Sequence, residues 1–173
     1  ATASQLIALR DTALELNITP NRGDCLAILG VAREAAIIQG QMLPRAVIDS
    51  VAPTSAAILP VELLARDSCS GYVGRVIEGV NATSITPLWM KERLRRCGVR
   101  SINIVVDITN YAMLALGQPL HAFDLARLQG GIKVRSAAAG ESLLMLDGNT
   151  LVLDEHCLII ADHVNPVALA GVM

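Results

Sequence analysis

Aromatic side chains are nearly absent: Trp89, Tyr72, Tyr111 and Phe123 are the only four in 173 residues. Any core must therefore be aliphatic, resting on Ala, Leu, Ile and Val. Net charge is scarce too, since fourteen Lys and Arg against sixteen Asp and Glu leave -2. With 53% of positions hydrophobic and 17% charged, intrinsic disorder is excluded, because such a chain has ample apolar surface to bury and little self-repulsion. Long apolar runs are missing as well. The longest stretch without Asp, Glu, Lys or Arg, Ile108–Phe123, is broken by Asn110, Gly117, Gln118, Pro119 and His121. A bilayer span needs about twenty mainly apolar residues, so no membrane association is expected. Cys25, Cys69, Cys97 and Cys157 form no CxxC pair and have no His at ligand spacing, so no metal is expected. Without a secretory signal, they read as reduced thiols in a cytoplasmic protein. A domain of this size buries about 70% of its unfolded surface and needs no staple. The GxSxG, Walker, GxGxxG and HExxH patterns are all absent, which removes the common hydrolase, nucleotide and zinc-protease readings.

The residues present predict a mixed α+β fold, with helices and mainly antiparallel strands and no alternating βαβ rhythm. Leu14, Leu16 and Ile18 alternate with Glu15 and Asn17, predicting a strand over Thr12–Ile18. Thr19–Asp24 breaks it, and Asp24 is placed to cap a helix through Leu26, Leu29, Ala32, Ala36 and Ile37, closed by Gly40. Gln41–Pro60, with Pro44, Pro53 and Pro60, has no sustained period and reads as a linker. Tyr72–Ile77 reads as a strand. Ser84 or Thr86, with Pro87 just inside, opens a helix through Leu88, Met90, Leu94 and Cys97 that Gly98 ends. Ser101–Leu116 begins with β-branched residues, yet Ile104, Ile108, Tyr111, Ala112 and Ala115 share a helical face and Gly117 follows, so a helix is predicted. Gln118–Asp124 is a loop. Strands are predicted at Ile132–Ser136, Cys157–Ala161 and Val167–Val172, and Asp147-Gly148-Asn149 turns a hairpin between Ser142–Leu146 and Thr150–Leu153.

Three groups offer chemistry. The first is Thr109-Asn110 with Pro119, His121, Ala122 and Asp124. His121 donates, accepts or transfers a proton near neutral pH. The bland alternative is a local His121–Asp124 hydrogen bond that pins the loop. The second is Lys91–Arg100, with five cations, Arg93, Arg95 and Arg96 among them, and one acid. It suits phosphates, or else is a solvated helix end whose cations complement the macrodipole. No aromatics interleave it, so base stacking is not expected. The third, Thr19–Cys25, has the position of an anion-binding helix start, but the Asp24 carboxylate competes for the same amides.

Several runs together resemble the beta subunit of bacterial phenylalanyl-tRNA synthetase. They are Glu15-Leu-Asn-Ile-Thr-Pro-Asn-Arg-Gly-Asp-Cys-Leu26, Gly30-Val-Ala-Arg-Glu34, Pro87-Leu-Trp-Met-Lys-Glu-Arg-Leu-Arg-Arg-Cys-Gly98, Val106-Asp-Ile-Thr-Asn-Tyr111 and Gly117-Gln-Pro-Leu-His-Ala-Phe-Asp124. Leu146-Asp-Gly148, Ala161-Asp162 and Ala168-Leu-Ala-Gly-Val-Met173 continue the match in the family's order. The resemblance implies an interior piece of a longer subunit. Residues 1–43 would be the returning half of its N-terminal domain, 44–60 a linker, and 61–173 a partial editing domain. Ala-Thr-Ala-Ser at the start and the apolar end at Met173 agree with two internal cuts.

The resemblance also implies a function: hydrolysis of mischarged Tyr-tRNA(Phe). An apolar pocket poorly rejects a substrate that merely adds a hydroxyl, so a second site that hydrogen-bonds the hydroxyl does the sorting. That hydrolysis needs a positioned water and polar groups, without a metal or a nucleophilic residue. By matching motifs, His121, Thr109 and Asn110 take the catalytic positions, Pro119 and Ala122 line the pocket, and Arg93, Arg95 and Arg96 are available to tRNA. The family's glutamate for the tyrosine hydroxyl would lie beyond Met173, so the piece alone is expected to be inactive. ATP and Mg would be used through the alpha subunit, with none held here. The implied partners are the alpha subunit and tRNA(Phe), in an assembly of two alpha and two beta subunits. The alternative is a structural module that contacts the alpha subunit or tRNA without hydrolysis.

Overall fold

The computed structural model describes residues 12–45 and 48–171. Packing divides the chain into two compact units, Ala1–Val51 with Val80–Ala122, and Ala52–Gly79 with Phe123–Met173. The fold is α+β.

Among its described residues the first unit holds three α-helices, α1 (Ile28–Ile38), α2 (Leu88–Arg96) and α3 (Ile104–Leu116). Both α1 and α2 pack on α3. Glycine ends the first two as expected. Behind α1, Gly40 takes φ 63° while its N–H bonds Ile37 O at 3.0 Å and that of Gln41 bonds Ala36 O at 2.9 Å. Gly98 repeats the arrangement behind α2, with φ 78°. Such double closures satisfy the orphan carbonyls of a helix end. The β-branched start of α3 did not prevent a helix, because Asn103 caps it by accepting from Val105 N–H and Val106 N–H, each at 3.0 Å.

Helix starts were read less well. Asp24 is not a cap: it lies inside a 3-10 turn, Gly23–Leu26, and α1 begins at Ile28 behind Ala27, with no side-chain cap. Its carboxylate is held instead by Arg22, at 3.0 Å from both Nε and Nη2. Neither Ser84 nor Thr86 caps α2; Pro87 itself is the cap residue, and Thr86 is buried. Thr12–Ile18 forms no strand, and Leu14 and Leu16 are exposed. Alternation alone does not supply the neighbouring backbone that a ladder requires.

The second unit is built on a four-stranded sheet ordered β1-β2-β5-β6, with β1 (Val61–Leu63), β2 (Ile132–Ser136), β5 (Leu158–Ala161) and β6 (Pro166–Leu169). β1 runs parallel to β2, and the other two pairs are antiparallel. A separate hairpin joins β3 (Ser142–Leu144) to β4 (Thr150–Val152), with Gly148 at φ 86° in its turn as Asp-Gly-Asn predicts. Both sheet faces are covered. Ile159 and Ala161 face a cluster with Ala137, Leu143 and Leu153, while Ile160 joins Ile132 and Val134 on the other side. That explains why Leu158–Ala161 is apolar throughout rather than alternating.

β1 was missed because three residues after Pro60 are too short to show a period; Pro60 O accepts from Ile132 N–H at 2.9 Å. Conversely, Tyr72–Ile77 forms no strand. Tyr72 packs against the Ile132, Val134 and Ile160 cluster while Val73 is 97% exposed, and the ladder place beside β2 is taken by β1. β6 is shorter than predicted, with Val172 outside the described residues.

Candidate functional site

Beside the apolar Ala27, Met90 and Leu94, the first unit buries a polar cluster. Asp107, in the first turn of α3, is fully buried. Its carboxylate accepts from Thr86 Oγ1 at 2.5 Å, Ser101 Oγ at 2.6 Å and Ile102 N–H at 2.9 Å. Burial alone would favour the neutral acid. The hydrogen bonds from Ser101, Thr86 and Ile102, with the nearby charge of Lys91, outweigh it and hold the carboxyl below its usual range. These bonds tie the segment before α2, the α2–α3 connection and α3 into one piece. Sequence reading passed over Asp107, since nothing in a pattern links a carboxylate to a threonine 21 residues away.

Within the next turn of that anchored helix, two and three residues beyond Asp107, come Thr109 and Asn110, both partly buried. Thr109 Oγ1 donates to Val106 O at 2.8 Å, the backward bond by which a threonine settles within a helix, and its oxygen keeps acceptor capacity. Gly117, in the left-handed region at φ 83°, stops the helix by bonding Met113 O at 2.8 Å. Pro119, His121 and Ala122 follow in an exposed segment without helix or strand. The five positions thus belong to one stretch, a helix and the segment it launches, with the polar pair on the rigid part and the histidine on the exposed part. Asp124 does not act as a free loop carboxylate: it accepts from Ala126 N–H at 3.0 Å and caps a 3-10 turn, Leu125–Arg127.

The cationic group lies on the last turn of α2, where the macrodipole favours positive charge. Arg95 and Arg96 reach Glu92 at 3.0 and 3.9 Å, and these contacts, the Arg95 hydrogen bond foremost, lower the Glu92 carboxyl. Arg93 does something else. Its Nη1 donates to Tyr111 Oη at 2.7 Å, and its guanidinium sits 5.2 Å from the centroid of Trp89 and 5.9 Å from that of Tyr111. The two rings meet edge to face, 5.4 Å apart at 85°. Aromatics do border the basic patch: folding brings in Tyr111, 18 residues from Arg93, which no local pattern announces.

At the 3-10 turn before α1, Arg22 also reaches Glu34 at 2.6 Å, so two carboxylates converge on one guanidinium. Among the described residues, no group of three His, Cys, Asp or Glu is clustered to hold a metal. No described helix is long and apolar enough to cross a membrane.

The B3/4 domain is the family whose sequence profile matches, over residues 68–173. The chain belongs to the B3/4 domain family. Thr109, Asn110, Pro119, His121 and Ala122, the Asp107 cluster's Ser101 and Thr86, and the Trp89–Tyr111 pair all fall inside this B3/4 region. The B3/4 chain is similar over nearly its whole length to phenylalanine-tRNA ligase beta subunits. It is 50% identical over 166 residues to that of Pectobacterium atrosepticum, covering 96% of this chain and 21% of the relative. To that of Dickeya dadantii it is 49% identical over 168 residues, covering 97% and 21%. To that of Pseudomonas putida it is 51% identical over 167 residues, covering 96% and 21%. The chain thus spans about a fifth of the length of these relatives.

Proposed function

We propose that this chain supplies part of the pocket in which a phenylalanine-tRNA ligase beta subunit hydrolyses tyrosine mistakenly joined to tRNA(Phe). The observation that carries the reading is the polar pair Thr109 and Asn110 on a helix locked by Asp107, followed by exposed His121 beyond a helix-ending glycine, all within the B3/4 match. The reaction cleaves the ester between the tyrosyl carbonyl and the terminal ribose. Asn110 offers two N–H donors and an acceptor, and Thr109 offers acceptor lone pairs. His121 orients the ester, the ribose or the attacking water; when it orients the water it takes the water's proton as the oxygen adds to the carbonyl and returns it to the ribose oxygen as the ester bond breaks. Pro119 narrows the conformations of the segment, and Ala122 contributes shape. Residues 1–43 are assigned to the returning half of an N-terminal domain, 44–60 to a linker and 61–173 to a partial editing domain. In this reading the protein acts in the cytoplasm with the alpha subunit, two of each assembling, and the alpha subunit uses ATP and Mg to charge tRNA(Phe). The piece alone is expected to be inactive.

The test is a complete beta subunit carrying His121→Ala, assembled with alpha. Deacylation of Tyr-tRNA(Phe) should slow about 10²- to 10⁴-fold, the usual contribution of a positioned acid or base, while phenylalanine charging persists. Equal deacylation rates would remove His121 from the mechanism.

A second reading, a structural module that contacts the alpha subunit or tRNA without hydrolysis, is favoured by the apolar surface. Ile37, Ile38, Ile58, Val73 and Leu146 are all more than two-thirds exposed. It predicts that Thr109, Asn110 and His121 variants change no hydrolysis rate while variants of those apolar positions weaken assembly.

A further inference from the structure

The one tryptophan of the chain is 48% exposed although two side chains already lie against it. A large ring that folding holds in place and leaves half exposed offers a ready surface to a planar ligand. Tyr111 meets Trp89 edge-on and Arg93 lies against it while bonded to Tyr111, so the ring is held from α3 and from its own helix. A ring ordered in advance costs a ligand little to engage.

The surroundings set the class of ligand. Five cations and one acid occupy residues 91–100 in a chain whose net charge is -2. The single acid, Glu92, is held by Arg95 and Arg96, while Arg93 makes its hydrogen bond to the Tyr111 hydroxyl. Arg93 also lines a cavity of about 380 Å3, apolar on Ile28, Leu94, Leu114 and Ala115 and cationic on Arg93 and Arg96. Its size is at the lower end for small-molecule pockets. A protein partner covering this face would need an acidic surface to match five cations set beside one acid. A duplex would use the cations and leave the ring idle. An unpaired strand uses both, bases on aromatic faces and phosphates on arginines.

We infer that Trp89, braced by Tyr111 and Arg93, is a stacking platform for an unpaired RNA base, with Arg95, Arg96 and Arg100 on the neighbouring phosphates. The inference rests on the reading that RNA is this protein's partner, and it is separate from hydrolysis at His121.

The experiment uses the complete alpha–beta assembly and fluorescence anisotropy of two labelled probes, an unstructured RNA of about a dozen nucleotides and a duplex RNA of the same length. Trp89→Ala should weaken single-strand binding about five- to a hundred-fold and leave the duplex alone, and Trp89→Phe, which keeps a ring, should restore most of the loss. Replacing Arg95 and Arg96 by Gln should weaken both probes and flatten the salt dependence. Equal affinities of wild type and Trp89→Ala for the single strand would overturn the platform alone. An equal loss on both probes would also overturn it, reducing the face to phosphate contact. If the wild-type assembly binds neither probe, the RNA reading falls with it.

Discussion

Asp107 keeps its charge in a site without solvent because two hydroxyls and an amide are aimed at it. Truncating it removes the acceptor of three donors, one of them the buried Thr86 hydroxyl, and an unsatisfied buried group costs about 1–3 kcal/mol. Asp107→Ala should therefore lower unfolding stability by at least that much, and Asp107→Asn should fall between, since an amide accepts on one side and opposes a hydroxyl with N–H on the other. Chemical denaturation read by circular dichroism measures both. A neutral Asp107→Ala would mean that the cluster does not hold the helix. Glu141 behaves alike in the second unit: hydrogen bonds from Arg135 at 2.7 and 2.9 Å, with Ala138 N–H, lower its carboxyl from 4.5 to about 2. A depressed folded value contributes stability that is complete above the unfolded value and disappears as pH falls through the folded one. The denaturation midpoint should accordingly drop between about pH 5 and pH 2, and Glu141→Gln should flatten that drop. An unaltered acid slope in Glu141→Gln would rule out this origin. Neither network was legible beforehand, because a hydrogen-bonding residue shows its type in the sequence and not its partner.

Among elements, legibility followed the kind of signal. Helix ends were readable from glycine, because Gly40, Gly98 and Gly117 need the left-handed backbone and little else competes for it. The hairpin turn was readable for the same reason. Helix starts were not, since a carboxylate near a helix start has other attractive partners, and Asp24 chose Arg22. Strands were readable where buried on both faces, as in β5, and unreadable where a ladder neighbour decides the matter, as in β1 and at Tyr72–Ile77. The joint between the 3-10 turn and α1 has a sharp test. A Cβ on Gly30 would lie 1.9 Å from Asp24 O, a main-chain atom with no rotamer to relieve it. Gly30→Ala, ordinarily favourable within a helix, should here destabilise by about 1–3 kcal/mol, as overpacking does. A raised melting temperature would show that the turn does not pack on α1 in this way.

For the whole molecule, the high hydrophobic content overstates the core. Among the described residues only eleven apolar side chains are buried, while Leu14, Ile38, Met42, Val73, Ile85 and Leu146 are largely exposed. The chain spans 21% of its relatives' length, and under the proposed reading other parts of a longer subunit cover this surplus. The same consideration removes the weak net charge as an objection to an RNA partner, since the cations are concentrated on α2. The proposed pocket positions could be singled out by residue type, but their role came only through resemblance: a threonine, an asparagine and a histidine at those spacings are common, and their chemistry depends on α3 and on Gly117 ending it ahead of His121. The most direct measurement of the central proposal is accumulation of Tyr-tRNA(Phe) while the assembled enzyme is supplied with tyrosine, ATP and tRNA(Phe). Wild type should accumulate almost none and His121→Ala should accumulate it steadily at an undiminished rate of phenylalanine charging; the same low level in both would contradict the assignment.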